Sequence, residues 1–133
     1  MTSRSTADAF VEARRHWRSL PEFPGRLPTS LEQAYTVQEM CLSAYAGVRG
    51  WKVASIRPEL RGSVGAERTV GPIMGLIEEG TEPVQVTIIK GGFSAVEAEF
   101  ACQISKDLMP GRVPSKDELL DAIGSLHIAC EVA

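Results

Sequence analysis

Several features are scarce in this chain of 133 residues, and each scarcity excludes a class of protein. No stretch approaches the ~20 consecutive apolar residues of a membrane-spanning helix, and no apolar segment follows the arginine near the start as in a secretory signal. The 14 basic residues form no dense run and are outnumbered by 17 acidic ones, which argues against nucleic acid or an anionic membrane as the main partner. The 3 cysteines are too widely spaced for a disulfide framework or a clustered zinc site. We therefore expect a cytoplasmic protein.

Familiar nucleotide-binding and nucleophile motifs are also missing. The chain has no phosphate-binding loop, no Gly-x-Gly-x-x-Gly and no serine nucleophile elbow. Candidate functional residues must therefore be found among the polar side chains of the predicted helices and strands.

Helical patterns dominate the first 48 residues. Thr6 is a candidate cap for a first helix, and Thr29 with Glu32 forms a capping-box signature for a second. Apolar residues of the first helix recur at steps of three and four: Phe10, Ala13, Trp17 and Leu20.

Strand patterns follow from residue 49 onward. We predict strands over 51–55, over the β-branched segment VQVTII at 84–89, over the alternating segment 95–104, and over 126–132. Ser115 and Glu118 form a further capping box, which begins one inserted helix. The order predicts an α+β fold with an N-terminal helical region, 1–48, and a β-rich region, 49–133.

The sharpest local signal is VEAEF at 96–100. In a strand, Glu97 and Glu99 point to the same side, about 7 Å apart. The other side is apolar and is expected to face the core, with Cys102 as a small buried residue. Two interpretations stay open for the carboxylates: a solvated polar face, or a pair that binds a hard divalent cation such as Mg²⁺ or Mn²⁺.

Three further polar residues lie in predicted strands. Glu131 is either an exposed residue of a fraying end or a third carboxylate on a strand face. Lys52 is either an edge-strand or snorkelling lysine, or a buried proton carrier or carboxylate anchor. His127 has no recognisable partner in the sequence, which favours a structural role.

Four segments together resemble one family, the 2-keto-4-pentenoate hydratases and 4-oxalocrotonate decarboxylases of the fumarylacetoacetate hydrolase superfamily. LEQAYTVQ at 31–38 resembles the family's second-helix signature, and GWKVA at 50–54 is similar to its Gly-aromatic-Lys-Ile-Gly strand. VEAEFA at 96–101 is similar to its Val-Glu-x-Glu-Ile-Ala motif, and ACEV at 129–132 to the Ala-Leu-Glu-Val/Ile segment that follows.

The resemblance implies a divalent-metal-dependent lyase of aromatic catabolism, with part of a mixed β-barrel as its β-rich region. It implies that Glu97, Glu99 and Glu131 are the protein ligands of Mg²⁺ or Mn²⁺. It also implies that Lys52 is the catalytic residue that holds a substrate carboxylate or assists proton transfer. The substrate would be a 2-hydroxydienoate or a small 2-oxo acid, with hydration, decarboxylation and C–C hydrolysis left open.

Chains of that family are about twice this long, so the resemblance implies that the sequence corresponds to their N-terminal half. Residues 49–133 would then be the first part of the catalytic domain, and the expected partner is a second copy or a complementing C-terminal half. The alternative is a non-catalytic module that acts as an assembly or binding subunit and buries its apolar strands by oligomerisation.

Overall fold

The computed structural model describes residues 2–78, 80 and 82–132, which belong to two compact units, Met1–Gly92 and Phe93–Ala133. Within these residues lie four helices and two two-stranded antiparallel sheets and no closed barrel, which confirms the predicted α+β class. The division into a helical region, 1–48, and a β-rich region, 49–133, stays a prediction. None of the helices in the described part has the length and apolar character needed to cross a bilayer.

The first unit contains three helices and one sheet. In chain order these elements are α1 (Ser3–Arg15), α2 (Leu31–Leu42), β1 (Gly50–Ser55), α3 (Pro58–Val64) and β2 (Arg68–Ile73). The second unit contains β3 (Val96–Ile104), α4 (Lys116–Ala122) and β4 (Ile123–Val132).

Helix α1 begins one turn earlier than predicted. Thr2 is its cap: the Thr2 hydroxyl accepts from the Ser5 backbone N–H, and the Ser5 hydroxyl accepts from the Thr2 N–H. The prediction of Thr6 as the cap is therefore wrong, because the first orphan N–H groups are already satisfied by the Thr2–Ser5 pair. Thr6 is buried instead, and its hydroxyl donates to the Pro24 carbonyl over 2.8 Å. The helix ends at Arg15, and Trp17 beyond it has a positive φ of 49°.

The cap of helix α2 lies one residue from the predicted one. Ser30 accepts from the Gln33 backbone N–H over 3.2 Å, and the Gln33 side chain accepts from the Thr29 N–H over 3.0 Å. The Thr29–Glu32 capping box is therefore wrong, since Ser30 supplies the capping oxygen and Gln33 the reciprocal one.

Small side chains are buried where α1 packs on α2 in the first unit. The apolar residues buried there are Ala7, Val11, Ala13 and Val37. Phe10 and Phe23 add an edge-to-face ring contact with centroids 5.4 Å apart. The Tyr35 hydroxyl accepts from the Val70 backbone N–H over 3.1 Å, so α2 is tied to β2 by a hydrogen bond.

Strand β1 confirms the predicted strand at 51–55, and its partner β2 is not among the predicted strands. The predicted strand at 84–89 is wrong, because these residues lie outside every strand. Val84 and Ile88 are exposed there, and among the described residues the segment's one neighbouring ladder contact is a single bridge between Arg18 and Lys90. High β-propensity without a partner strand forms no ladder.

The second unit is a long hairpin with a helix in its connection. Strands β3 and β4 pair antiparallel from Val96–Val132 to Ile104–Ile123, with a bulge where Gly124 is inserted. The Ser115–Glu118 capping box at the start of α4 is confirmed. The prediction that one side of β3 faces a core, with Cys102 buried, is wrong: Cys102 is exposed, because that side of the hairpin is uncovered.

Candidate metal centre

Glu97, Glu99 and Glu131 meet on one face of the β3–β4 hairpin. Glu97 lies directly opposite Glu131 in the antiparallel register, and Glu99 lies opposite Ala129, two positions along. Since side chains at every second position share a face, all three carboxylates project on the same side. One oxygen of each lies within 4.8 Å of the others, and Glu97 is exposed while Glu99 and Glu131 are half-buried.

The chemistry of this donor set fits a hard divalent cation. Each pair of carboxylates at this separation repels by about 1 kcal/mol in water and by about 3 kcal/mol at the effective dielectric of a protein surface. Oxygen donors are the ligands that Mg²⁺ and Mn²⁺ prefer, and a divalent charge offsets this repulsion. The three glutamates are therefore residues that could hold Mg²⁺ or Mn²⁺.

Lys52 lies in the first unit, on β1, and is half-buried. Its register partner is Gly71, where an added Cβ would meet nothing within 4 Å. The side chain lines a shallow groove of about 310 Å³ between α2 and the β1–β2 sheet, together with Tyr35 and Gln38. Two of the four segments that carry the family resemblance, 31–38 and 50–54, thus lie against each other in this groove.

A hydrogen-bonded row of side chains, Gln103, Ser125 and His127, occupies the carboxylate face of the hairpin and is not apparent in the sequence. The Ser125 hydroxyl donates to Gln103 Oε1 over 3.0 Å and lies 2.7 Å from His127 Nε2. With the serine proton on Gln103 Oε1, the Ser125 oxygen can accept from His127 Nε2 in the tautomer that carries its ring proton on that nitrogen. The two-residue spacing of Ser125 and His127 in the sequence places them on one face of a strand. Gln103 lies on the other strand and joins them through the strand register.

Glu118 has the most strongly shifted carboxyl that the structure shows. The Arg112 guanidinium pairs with both of its oxygens, with one N–O distance of 2.9 Å, and lowers the pKa of Glu118 to about 2, helped by the Ser115 backbone N–H. Glu118 has no part in the metal cluster; this ion pair fixes the loop before α4.

Within the described residues, the three glutamates form the one group of metal-capable side chains. They and Lys52 belong to different units. No protein-family model, no curated protein and no solved structure matches this chain.

Proposed function

We propose that the protein is a divalent-metal-dependent lyase of the fumarylacetoacetate hydrolase superfamily, a hydratase or decarboxylase of 2-hydroxydienoates or small 2-oxo acids. The observation that carries the proposal is the convergence of Glu97, Glu99 and Glu131. These residues come from the two segments, VEAEFA and ACEV, that resemble the family's metal-binding motifs. Three like charges this close repel one another, and a bound divalent cation would offset that repulsion.

The three carboxylates would hold Mg²⁺ or Mn²⁺ in this proposal. When bound, such a cation supplies Lewis-acid polarisation of a 2-oxo group. The protein supplies the position of the ligands and access to them. Half-buried Glu99 and Glu131 keep their oxygens on one side of the paired strands. Exposed Glu97 leaves the cluster open to a small acid from solvent.

Lys52 is assigned its role by the resemblance. Its ammonium would bind the substrate's carboxylate or carry a proton. The groove beside it is open and is walled by α2, and it offers the Gln38 amide as a further polar group.

The test is turnover of a 2-hydroxydienoate, followed by loss of its ultraviolet absorbance, with and without added Mg²⁺ or Mn²⁺. Glu97→Gln and Glu99→Gln are expected to lower the metal-dependent rate by about 100-fold or more. Glu67→Gln, an exposed carboxylate of the first unit, is the matched control and should keep the rate. A metal-dependent rate that both cluster variants retain would overturn the proposal.

The second candidate function is a non-catalytic assembly or binding subunit. The large number of exposed apolar side chains in both units favours it, since such surface is normally covered by a partner. An oligomer that binds no divalent cation and turns over no oxo acid would support this function over the lyase.

A further inference from the structure

An open groove lies at the C-terminal end of α1 in the first unit. Its volume is about 400 Å³, within the range of small-molecule sites in proteins, roughly 300–1,000 Å³. It shares no lining residue with the groove beside Lys52. One wall is the last turns of α1, and the other is the segment that follows this helix. The large apolar side chains that line it are Phe10, Leu20, Phe23 and Ile89.

A sharp reversal of the chain after α1 brings Arg18 to the same groove as Arg14. Trp17, at the reversal, has a φ of 49°, a left-handed conformation that is unusual for a bulky residue. Two backbone hydrogen bonds hold the turn: the Trp17 N–H donates to the Arg14 carbonyl over 3.1 Å, and the Arg18 N–H donates to the Ala13 carbonyl over 3.0 Å. Backbone strain of this kind clusters at ligand and active sites, where the surrounding structure maintains it.

A third segment, at 89–92, bounds the groove. Arg18 and Lys90 form a backbone bridge, which holds Ile89 against the reversal. A Cβ added to Gly91 would lie 3.2 Å from the Ser19 Oγ, and Gly91 has a φ of 80°. Glycine therefore permits the close approach of the two segments. The shape of the groove is thus set by backbone contacts among three parts of the first unit.

The charge of the groove is positive. Arg14 and Arg18 line it with one carboxylate, Glu22, and Lys90 adds a further cation next to Ile89. In the part of the chain that the structure describes, neither arginine makes an ion pair with a carboxylate. A guanidinium group presents a planar fork of N–H donors that matches a carboxylate. The groove therefore offers donors for an anion beside an apolar wall.

We propose that this groove binds a small aromatic carboxylic acid. Arg14 and Arg18 would bind the carboxylate, and the aromatic body would lie against Phe10 and Phe23. These two half-buried rings already meet edge to face, with centroids 5.4 Å apart, and a third ring can join them in the same geometry. The volume of the groove suits a free small molecule. The site requires neither the glutamate cluster nor Lys52.

The first test is a titration with 4-phenylbutyrate, followed by the fluorescence of Trp17 in a Trp51→Phe background. The chain has 2 tryptophans, so this background leaves Trp17 as the one reporter. We expect saturable binding with a Kd of roughly 0.1–5 mM. Arg14→Met and Arg18→Met, which keep an unbranched apolar stem, should each weaken binding by roughly 10-fold or more.

Arg15→Met is the matched control, because Arg15 is the neighbouring exposed arginine of α1 and does not line the groove. This variant should bind as the wild type does. Far-ultraviolet circular dichroism would verify that all three variants keep their helices. A wild type without saturable binding, or unchanged affinity in both Arg14→Met and Arg18→Met, overturns the proposal.

The second test keeps the wild-type chain and changes the ligand. 4-Phenylbutanol has the aromatic body without the charge, and inorganic phosphate has a negative charge without the body. Each should bind about 10-fold more weakly than 4-phenylbutyrate, because each lacks one of the two recognised features. Methyl signals of Leu20 and Ile89 should shift with 4-phenylbutyrate in nuclear magnetic resonance spectra.

Equal binding of the alcohol would show an apolar groove that does not recognise the carboxylate. Equal binding of phosphate would show an anion patch that does not recognise the aromatic body. Either result overturns the proposal, as do shifts that leave both Leu20 and Ile89 unmoved. Neither test uses metal or turnover, so its failure is distinct from failure of the lyase proposal.

Discussion

Glu97 and Glu131 lie directly opposite each other on the two strands of the second unit, and Glu99 joins them from the next position on the same side. The hairpin register thus converts two short acidic motifs, far apart in the chain, into one cluster of oxygen donors. Three carboxylates held this close are the most specific chemical feature of the described residues.

Divalent-cation affinity should depend on this cluster. We expect Glu97→Gln and Glu131→Gln each to weaken Mn²⁺ binding by roughly 10- to 100-fold, because each removes one anionic donor. Isothermal titration calorimetry and the Mn²⁺ electron paramagnetic resonance signal would measure the Mn²⁺ affinity of each variant. Glu67→Gln serves as control. Equal affinity in the wild type and both cluster variants would show that the cation binds elsewhere.

Acid titration should reveal the Arg112–Glu118 ion pair. The pKa of Glu118 is lowered to about 2, so its contribution to stability is present above the ordinary glutamate pKa near 4.3 and is lost as the pH falls toward 2. In Arg112→Ala the pKa should rise toward the ordinary value. Nuclear magnetic resonance titration of the Glu118 carboxyl would measure it, and high salt should weaken the shift in the wild type. An unchanged midpoint in Arg112→Ala would contradict the assigned cause.

The bulge at Gly124 should accept no side chain. A Cβ added there would lie 2.8 Å from the Ser105 Cβ, so Gly124→Ala is expected to lower the free energy of unfolding by about 1–3 kcal/mol. Urea denaturation would measure the loss. Adding Ser105→Gly should recover part of it, because the nearest obstructing atoms are then removed.

Gly62→Ala is the control for the bulge substitution, since nothing lies within 4 Å of an added Cβ in α3 and alanine favours the helix. A Gly124→Ala protein as stable as the wild type would show that the hairpin tolerates a side chain at its bulge.

The ring proton of neutral His127 should sit on Nε2. Long-range ¹H–¹⁵N spectra are expected to show this tautomer, and Ser125→Ala should shift the tautomer ratio several-fold because the accepting hydroxyl is lost, a hydrogen bond worth about 1 kcal/mol. The chain has 2 histidines, so His16→Gln assigns the signals. A dominant Nδ1–H form in the wild type would mean that the serine donates to the ring instead.

Local sequence rules correctly predicted the elements that depend on residues close to them in the chain. The Ser115–Glu118 capping box marks the start of α4, and alternation marks β3, because both depend on residues within one turn or one pleat. The same rules misplaced the caps of α1 and α2 where a second serine or threonine stood close by. They also predicted a strand at 84–89, where β-propensity is high but none of the strands in the described part of the chain pairs with the segment.

The sequence by itself determined that Glu97 and Glu99 share one side of a strand, since the two-residue period of a strand is a property of the backbone. Only the tertiary structure decided that Glu131 lies opposite Glu97 and that Gln103, Ser125 and His127 form a row, because strand register is set by pairing between distant segments. Tertiary structure also decided that the apolar side of the hairpin is exposed. Alternation shows which residues share a face, but whether that face is buried depends on what packs against it.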